Sequence, residues 1–110
     1  GGLLVGQTSQ LEPYHSFSLW NYTVYGFKEM LECAGFRVLA FRPGIDGPTL
    51  IERAINGRPP EYRRWFKEES PLNRKIEEHL SAEGRSIRVK NFRKLQYCGH
   101  FVFVAAKPTE

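Results

Sequence analysis

The chain has 110 residues, of which 41% are hydrophobic, 14% aromatic and 25% charged. This composition is typical of a folded globular protein and excludes an intrinsically disordered one, and the length allows a single domain. The formal net charge of +4 is dispersed, because basic and acidic residues interleave through residues 46–88. That pattern is typical of solvated helix faces, so it argues against nucleic acid as a partner. The same interpretation covers the basic group Arg88, Lys90, Arg93 and Lys94.

Cysteine spacing and hydropathy exclude further classes of protein. The two cysteines and three histidines have no zinc-type spacing, and two thiols do not make a disulfide framework. No apolar run approaches the roughly 20 residues that a membrane span needs. We therefore expect a cytoplasmic protein with no metal and no membrane contact.

The first part of the chain predicts a strand, a helix and a second strand. Leu3 to Thr8 is a short apolar run after a glycine pair, which is typical of a buried strand. Residues 9–21 are expected to form a long loop. Apolar residues then recur at helical spacing between Thr23, the expected N-cap, and Gly35, the expected helix end. With a second strand at residues 36–41, this is the composition of a crossover unit with parallel strands, so the expected fold class is α/β.

The rest of the chain predicts helices and one last strand. Between residues 46 and 90, prolines and glycines separate short amphipathic stripes, which predicts two or three helices. Residues 101–106 are apolar throughout, which predicts a strand in the middle of a sheet with both faces covered. The expected organisation is one partial domain over residues 1–110. It comprises strand-loop-helix-strand in 1–45, a helical insertion in 46–90 and a terminal strand in 91–110.

Four short segments carry a family resemblance through their order along the chain. They are the glycine-glycine strand up to Thr8, the segment Trp20-Asn21-Tyr22-Thr23 before the helix, the helix exit Ala34-Gly35-Phe36, and the ending Gly99 to Pro108 with its lysine-proline stop. In this order they resemble the C-terminal half, from the fifth to the seventh strand, of the class I S-adenosylmethionine-dependent methyltransferase superfamily.

The resemblance implies a partial Rossmann-like fold. This fold would have a three-stranded mixed sheet, a crossover helix and a helical insertion before the last strand, which would run antiparallel between the other two. The family holds S-adenosylmethionine with a glycine-rich turn and a following acidic residue, and this sequence has no such pair. We therefore expect the acceptor-side half of a methyltransferase, inactive and without bound cofactor when alone. Because the chain begins at Gly1 without an initiator Met, we expect a fragment.

The expected partners follow from the first strand. Without an N-terminal half, one edge of the strand Leu3 to Thr8 would be unpaired, and the strand has no Lys, Pro or inward charge to protect it. We expect association through this edge, either with the missing half or as a homo-oligomer. The methyl acceptor, expected to be a small molecule, is not identified by the sequence. The alternative is a non-catalytic binding or assembly module that self-associates through the open edge.

The loop after the first strand holds the candidate site residues. His15 is the candidate catalytic residue, because an imidazole that titrates near neutrality can accept a proton from the acceptor. Its alternative is an ordinary loop histidine. Tyr14, Trp20 and Tyr22 are candidate substrate-binding residues, since small-molecule pockets are lined mostly by aromatic and aliphatic groups. Their alternative is to pin the loop to the core. His100 is expected to form core hydrogen bonds.

Overall fold

The computed structural model describes residues 2–13 and 20–108, which form three strands, four α-helices and one 3₁₀ helix. In chain order these elements are β1 (Leu3–Ser9), α1 (Val24–Cys33), β2 (Arg37–Pro43), α2 (Gly47–Ile55), the 3₁₀ helix (Pro60–Phe66), α3 (Pro71–Ala82), α4 (Ile87–Tyr97) and β3 (His100–Ala106). The protein is therefore of mixed α and β structure.

The three strands form one open sheet in the order β1-β3-β2. Strand β3 pairs antiparallel with both neighbours, so Phe103 stands opposite Gly6 on β1 and opposite Phe41 on β2. Strands β1 and β2 consequently run in the same direction without pairing with each other. The expectation of a mixed sheet is wrong, because both hydrogen-bonded pairs, β1 with β3 and β2 with β3, are antiparallel. The two strands that run in the same direction, β1 and β2, are separated by β3. The central place expected for the last strand is confirmed.

Helix α1 begins and ends at the residues that the sequence indicates. The Thr23 side chain accepts a hydrogen bond from Gly26 N at 3.0 Å, and Gly35 has a φ of 88°, which only glycine adopts without strain. The helix buries Phe27 and Leu31. The Phe27 ring lies 4.6 Å from that of Phe103 and 5.7 Å from that of Phe101, so an aromatic cluster joins the helix to β3.

Helix α1 packs against one face of the sheet, whereas the other face is more exposed to solvent. On β3, the side chains of Phe101, Phe103 and Ala105 are buried on the face that α1 covers, which we call the covered face. Alternate residues point the other way. They form the uncovered face, which consists of Leu3, Val5 and Gln7 on β1, Arg37, Ala40 and Arg42 on β2, and Val102, Val104 and Ala106 on β3. The sequence-based expectation that both faces are covered is wrong, since Val102, Val104 and Ala106 are only half-buried.

The shape of the molecule agrees with a single layer of helices on the sheet. Its principal extents are 47 × 42 × 20 Å. A protein of 12.7 kDa typically exposes about 6,200 Å², whereas this chain exposes 7560 Å². The additional exposed area reflects a flat molecule in which part of the apolar surface is left in contact with solvent.

The stretch between β2 and β3 is helical, as the sequence predicts, but it contains one more helix than expected. Helix α4 occupies residues 91–97 of the segment assigned to a terminal strand, and the strand itself begins only at His100. Its signal is weak because its only buried residue is Lys94, while Phe92 remains exposed. A helix that buries a lysine has no clear apolar stripe for a sequence pattern to detect.

Lys94 corrects the interpretation of its basic group as a solvated face. Its ammonium group is buried, forms an ion pair with Glu69, and lies 4.0 Å from the carboxylate of Glu77. Lys90 is paired with the same Glu77 oxygen at 3.2 Å. Lys90 and Lys94 therefore connect α4 through ion pairs to α3 and to the segment that precedes α3.

A buried carboxylate holds the helices after β2 in place. Asp46 is fully buried and caps α2 by accepting hydrogen bonds from Thr49 N at 2.7 Å and Thr49 Oγ1 at 2.9 Å. It also accepts one from Leu72 N, in the first turn of α3, at 3.0 Å. Because one carboxylate satisfies donors at the starts of two helices, it sets their positions relative to the end of β2.

Candidate binding pockets at the carboxyl edge of the sheet

One edge of the sheet brings together the carboxyl ends of β1 and β2 and the start of β3. Ser9, Pro43 and His100 lie at this edge. The backbone continues the pairing past the strands, because Gln10 N donates to Gly99 O at 2.7 Å and Gly44 N donates to His100 O at 2.9 Å. Open α/β sheets bind their ligands outside the carboxyl ends of their strands, so this edge is where a site is expected.

Two amides hold the start and the end of the loop after β1. The Gln10 side chain donates to Leu95 O at 2.9 Å and accepts from Val24 N at 3.2 Å, which joins the loop to α4 and to α1. The Asn21 side chain donates to Gln10 O at 3.0 Å and to Glu12 O at 2.7 Å. Both residues therefore have structural roles.

The structure describes only two of the four predicted site residues, Trp20 and Tyr22. Tyr14 and His15 lie outside the described residues, so the candidate catalytic residue stays a prediction. Trp20 is 64% exposed and does not pin the loop to the core. Tyr22 packs edge-on against Phe27 with 5.2 Å between ring centroids, as its packing alternative supposes. Neither Trp20 nor Tyr22 lines either of the pockets described next.

A mainly apolar groove of about 540 Å³ opens at this edge on the side of the covered face. We call it the edge groove. Its walls come from the loop after β1, the first turn of α1, β2 and the end of α4; the lining residues are Gln10, Leu11, Thr23, Val24, Tyr25, Lys28, Phe41, Phe92, Leu95 and Gln96. Its volume is within the range of small-molecule sites, and its apolar lining suits an apolar ligand.

A second cavity of about 460 Å³ lies at the same edge, on the side of the uncovered face. We call it the His100 pocket. Gln7, Val102 and His100 form its floor, the 3₁₀ helix supplies Trp65 and Phe66, and α3 supplies Asn73. The Phe66 ring is stacked on the His100 imidazole, with 5.8 Å between the ring centroids and an angle of 12° between the ring planes. The sequence pattern did not indicate this pocket, because the residues that line it come from five separate segments.

Two buried polar atoms in this pocket have no hydrogen-bond partner among the described residues. They are His100 Nδ1 and Asn73 Oδ1. Asn73 uses its nitrogen to donate to Gly44 O at 2.8 Å, and His100 Nδ1 faces Gly44. The expectation that His100 forms core hydrogen bonds is therefore wrong for Nδ1. A buried polar atom without a partner costs about 1–3 kcal/mol, so such atoms need an explanation.

Burial also sets the protonation of the two titratable groups at the start of β3. It lowers the pKa of His100, while the negative charge of Glu12 opposes that shift. His100 is consequently neutral at pH 7, with one ring nitrogen able to accept a hydrogen bond. Burial raises the pKa of the Cys98 thiol to about 12. Cys98 is therefore not a nucleophile at neutral pH.

The glycines at this edge do not form a cofactor-binding turn. A Cβ at Gly44 would lie 2.6 Å from His100 Nδ1, and one at Gly47 would lie 2.7 Å from Leu11 Cβ. Gly99 is in similarly close contact with Leu50. The space at these three glycines is taken up by neighbouring protein atoms rather than left open for a ligand.

Metal and membrane features are absent from the described part of the chain. Residues 2–13 and 20–108 contain no group of three His, Cys, Asp or Glu side chains that could hold a metal ion. Within the same residues, no helix has the length and apolar character needed to cross a membrane.

Comparisons with known proteins supply no relative. No family model matches the chain. Searches of curated proteins and of solved structures return no significant match either.

Proposed function

We propose that the chain forms the acceptor-side half of a Rossmann-like, S-adenosylmethionine-dependent methyltransferase domain. The observation that carries the proposal is the strand order β1-β3-β2, in which an antiparallel β3 lies between two co-directional strands. The family resemblance implies this order for the fifth, seventh and sixth strands. The agreement between the observed order and the implied one supports the proposal.

The unpaired outer edge of β1 and the uncovered face support the same proposal. Among the described residues, β1 pairs only with β3, and Leu3 and Val5 are 69% and 62% exposed. In a complete doubly wound sheet, the remaining strands would pair with this edge and further helices would cover the bare face. The chain then contributes the acceptor side, while the cofactor-binding residues come from the other half.

The edge groove is the proposed site of a small, mainly apolar methyl acceptor. It lies at the carboxyl edge, beside both ends of the loop in which Tyr14 and His15 are candidate site residues. Leu11, Val24 and Leu95 would bury the apolar part of the acceptor. Lys28 also lines the groove, but its ammonium lies 3.8 Å from the carboxylate of Glu32, so no charge on the acceptor is inferred from it.

The test combines a sequence reading with a binding measurement. The frame upstream of Gly1 should encode a strand followed by a glycine-rich turn and, after the next strand, an acidic residue. S-adenosylmethionine should give no saturable heat in a calorimeter with the 110-residue chain alone, and should give a binding isotherm with the product of the extended frame. Tight binding by the chain alone, or an upstream frame without that half, would overturn the proposal.

A second candidate function is a non-catalytic module that assembles through β1, and the unpaired edge of β1 favours it. The two candidates differ in what occupies that edge. If the chain is an assembly module, purified chains should form a defined dimer whose interface contains β1. If it is half of an enzyme domain, the other half should displace such a dimer.

A further inference from the structure

A further cavity lies between the end of α2 and the start of the loop after β1, and it shares no lining residue with the edge groove or the His100 pocket. Its volume is about 240 Å³, and its lining residues are Glu12, Pro13, Leu50, Arg53, Ala54 and Arg58. We call it the arginine cavity. We propose that it binds the phosphate group of a small molecule. This inference goes beyond the proposed function, since the proposed methyl transfer uses neither arginine.

The two guanidinium groups of this cavity have no counter-ion among the described residues. Neither Arg53 nor Arg58 forms an ion pair or a side-chain hydrogen bond there. By contrast, Arg64 and Arg85 are both paired with glutamates. Two like charges at one cavity repel each other, and an oxyanion placed between them replaces that repulsion with attraction.

The nitrogen atoms that would contact the phosphate are accessible. In Arg53, only Nε is buried without a partner, so the two terminal nitrogens, which have no described hydrogen bond either, keep accessible surface. Arg58 is exposed. The Arg53 guanidinium lies over the Phe66 ring, 5.2 Å from its centroid, and this contact orients its plane. An oriented guanidinium presents a planar fork of N–H donors, which matches the oxygens of a phosphate.

The backbone conformation of Arg58 is unfavourable for an arginine. Its φ is 57°, and among the described residues it is the only one other than glycine with a positive φ. Glycine and asparagine adopt this left-handed conformation more readily. The hydrogen bond from Arg58 N to Arg53 O, at 2.8 Å, holds the two arginines in one turn. Strained residues of this kind concentrate at functional sites, so the conformation supports a binding role for Arg58.

Among the described residues that line the arginine cavity, one has a carboxylate. This is Glu12, which accepts a hydrogen bond from the Ser9 hydroxyl and acts through its charge on the pKa of His100. Ser9 and His100 stand opposite each other on β1 and β3, so groups on the sheet already engage this carboxylate. Two positive charges and one negative charge leave the lining with a net charge of +1.

The charge and shape of the two arginines favour a phosphate over a carboxylate. A phosphate monoester carries a charge of about −1.5 to −2 at pH 7 and has three strong acceptor oxygens. It can therefore accept hydrogen bonds from both guanidinium groups at once, whereas a single carboxylate is matched by one guanidinium.

The experiment titrates the 110-residue chain with inorganic phosphate at neutral pH and constant ionic strength, with the Arg53 Nε–H and Ala54 methyl signals followed by NMR. Acetate is the second ligand, because it is a carboxylate with a single charge. We expect saturable shifts of both signals with phosphate, and about tenfold weaker binding of acetate, the factor typical of one lost charge-assisted hydrogen bond. The absence of saturable shifts with phosphate would overturn the inference. Equal affinity for the two ligands would overturn the assignment to a phosphate group.

Two variants and one matched control locate the site. Arg58→Asn removes the guanidinium but tolerates the left-handed backbone, so it should fold as wild type does and bind phosphate at least about tenfold more weakly. Arg58→Lys keeps the charge without the planar fork and should weaken binding by less. Arg88→Asn removes the same charge from an exposed position on α4 and should bind phosphate as wild type does.

Thermal unfolding, followed by circular dichroism, checks that each variant is folded. Equal weakening by Arg58→Asn and Arg88→Asn would show that phosphate responds only to the net charge of the protein, and would overturn the inference. Wild-type affinity in both Arg58 variants would place the phosphate elsewhere and contradict it as well.

Discussion

The covered and uncovered faces of the sheet are built from the same three strands but have different surroundings. On the covered face, Phe101 and Phe103 pack against Phe27 of α1, and Ala105 is completely buried. On the uncovered face, Val102 and Val104 occupy the alternate positions of the same strand and are only half-buried. An apolar side chain on a strand therefore does not by itself show that the chain covers it.

The difference shows which face of the sheet is buried by the chain's own described residues and which face is not. The covered face has a buried hydrophobic cluster of its own, whereas the apolar residues of the uncovered face would be buried only by a further layer. Apolar surface of this kind marks interaction sites when it is contiguous. Substitutions on the two faces should consequently affect two different properties, folding on one face and association on the other.

The largest expected effect is on the covered face. Phe101→Ala should lower the free energy of unfolding by about 3–5 kcal/mol, because it leaves a cavity in the aromatic cluster. Val104→Ala, on the uncovered face of the same strand, should cost about 1 kcal/mol or less, because its side chain already contacts solvent. Urea unfolding of both variants measures the contrast. Similar losses in a monomer would mean that the uncovered face is covered after all.

A smaller loss is expected from an added methyl group on the covered face. A Cβ at Gly6 would lie 2.9 Å from the Phe103 ring, so Gly6→Ala must displace that ring and should cost about 1–3 kcal/mol. Gly2→Ala is the matched control, since nothing lies within 4 Å of its added Cβ. Thermal unfolding distinguishes them. A neutral Gly6→Ala would show that the Phe103 ring moves freely.

The next effect concerns association rather than folding. Val5→Lys places a charge on the uncovered face beside the open edge, and should weaken self-association at least about tenfold while leaving monomer stability within about 0.5 kcal/mol. Ile55→Lys replaces an apolar residue that is 79% exposed on α2, and it should leave association unchanged. Sedimentation velocity over a concentration series measures both. Monomeric wild-type chain at high concentration would contradict homo-oligomerisation through β1.

The smallest effect is a pH dependence at the His100 end of the uncovered face. Because burial lowers the pKa of His100, this residue contributes stability above its unfolded-state pKa of about 6.5, and the contribution is lost as the pH falls through the lower folded-state pKa. Between about pH 7.5 and about pH 5, wild-type protein should therefore lose more stability than His100→Phe. Parallel losses in the two proteins would show that His100 is protonated without cost in the fold.

Sequence patterns located most elements but fewer of the site residues. Helix α1 was predicted from Thr23 to Gly35 because its cap and its left-handed exit are local signals. Helix α4 was missed because it buries Lys94, whose partner Glu69 lies 25 residues earlier. The His100 pocket was missed for the same reason, since Gln7, Asn73 and Phe66 approach His100 only in the folded chain.

The sequence by itself determined local conformation: the apolar runs of β1 and β3, the period and caps of α1, and the helical character of residues 46–90. These features depend on neighbours a few residues apart, which a pattern records directly. Only the tertiary structure decided that both ladders are antiparallel and that, among residues 2–13 and 20–108, one face is left uncovered and His100 Nδ1 and Asn73 Oδ1 are buried without partners. Burial and pairing depend on contacts between distant segments, and the same apolar valine is compatible with either face until those contacts form.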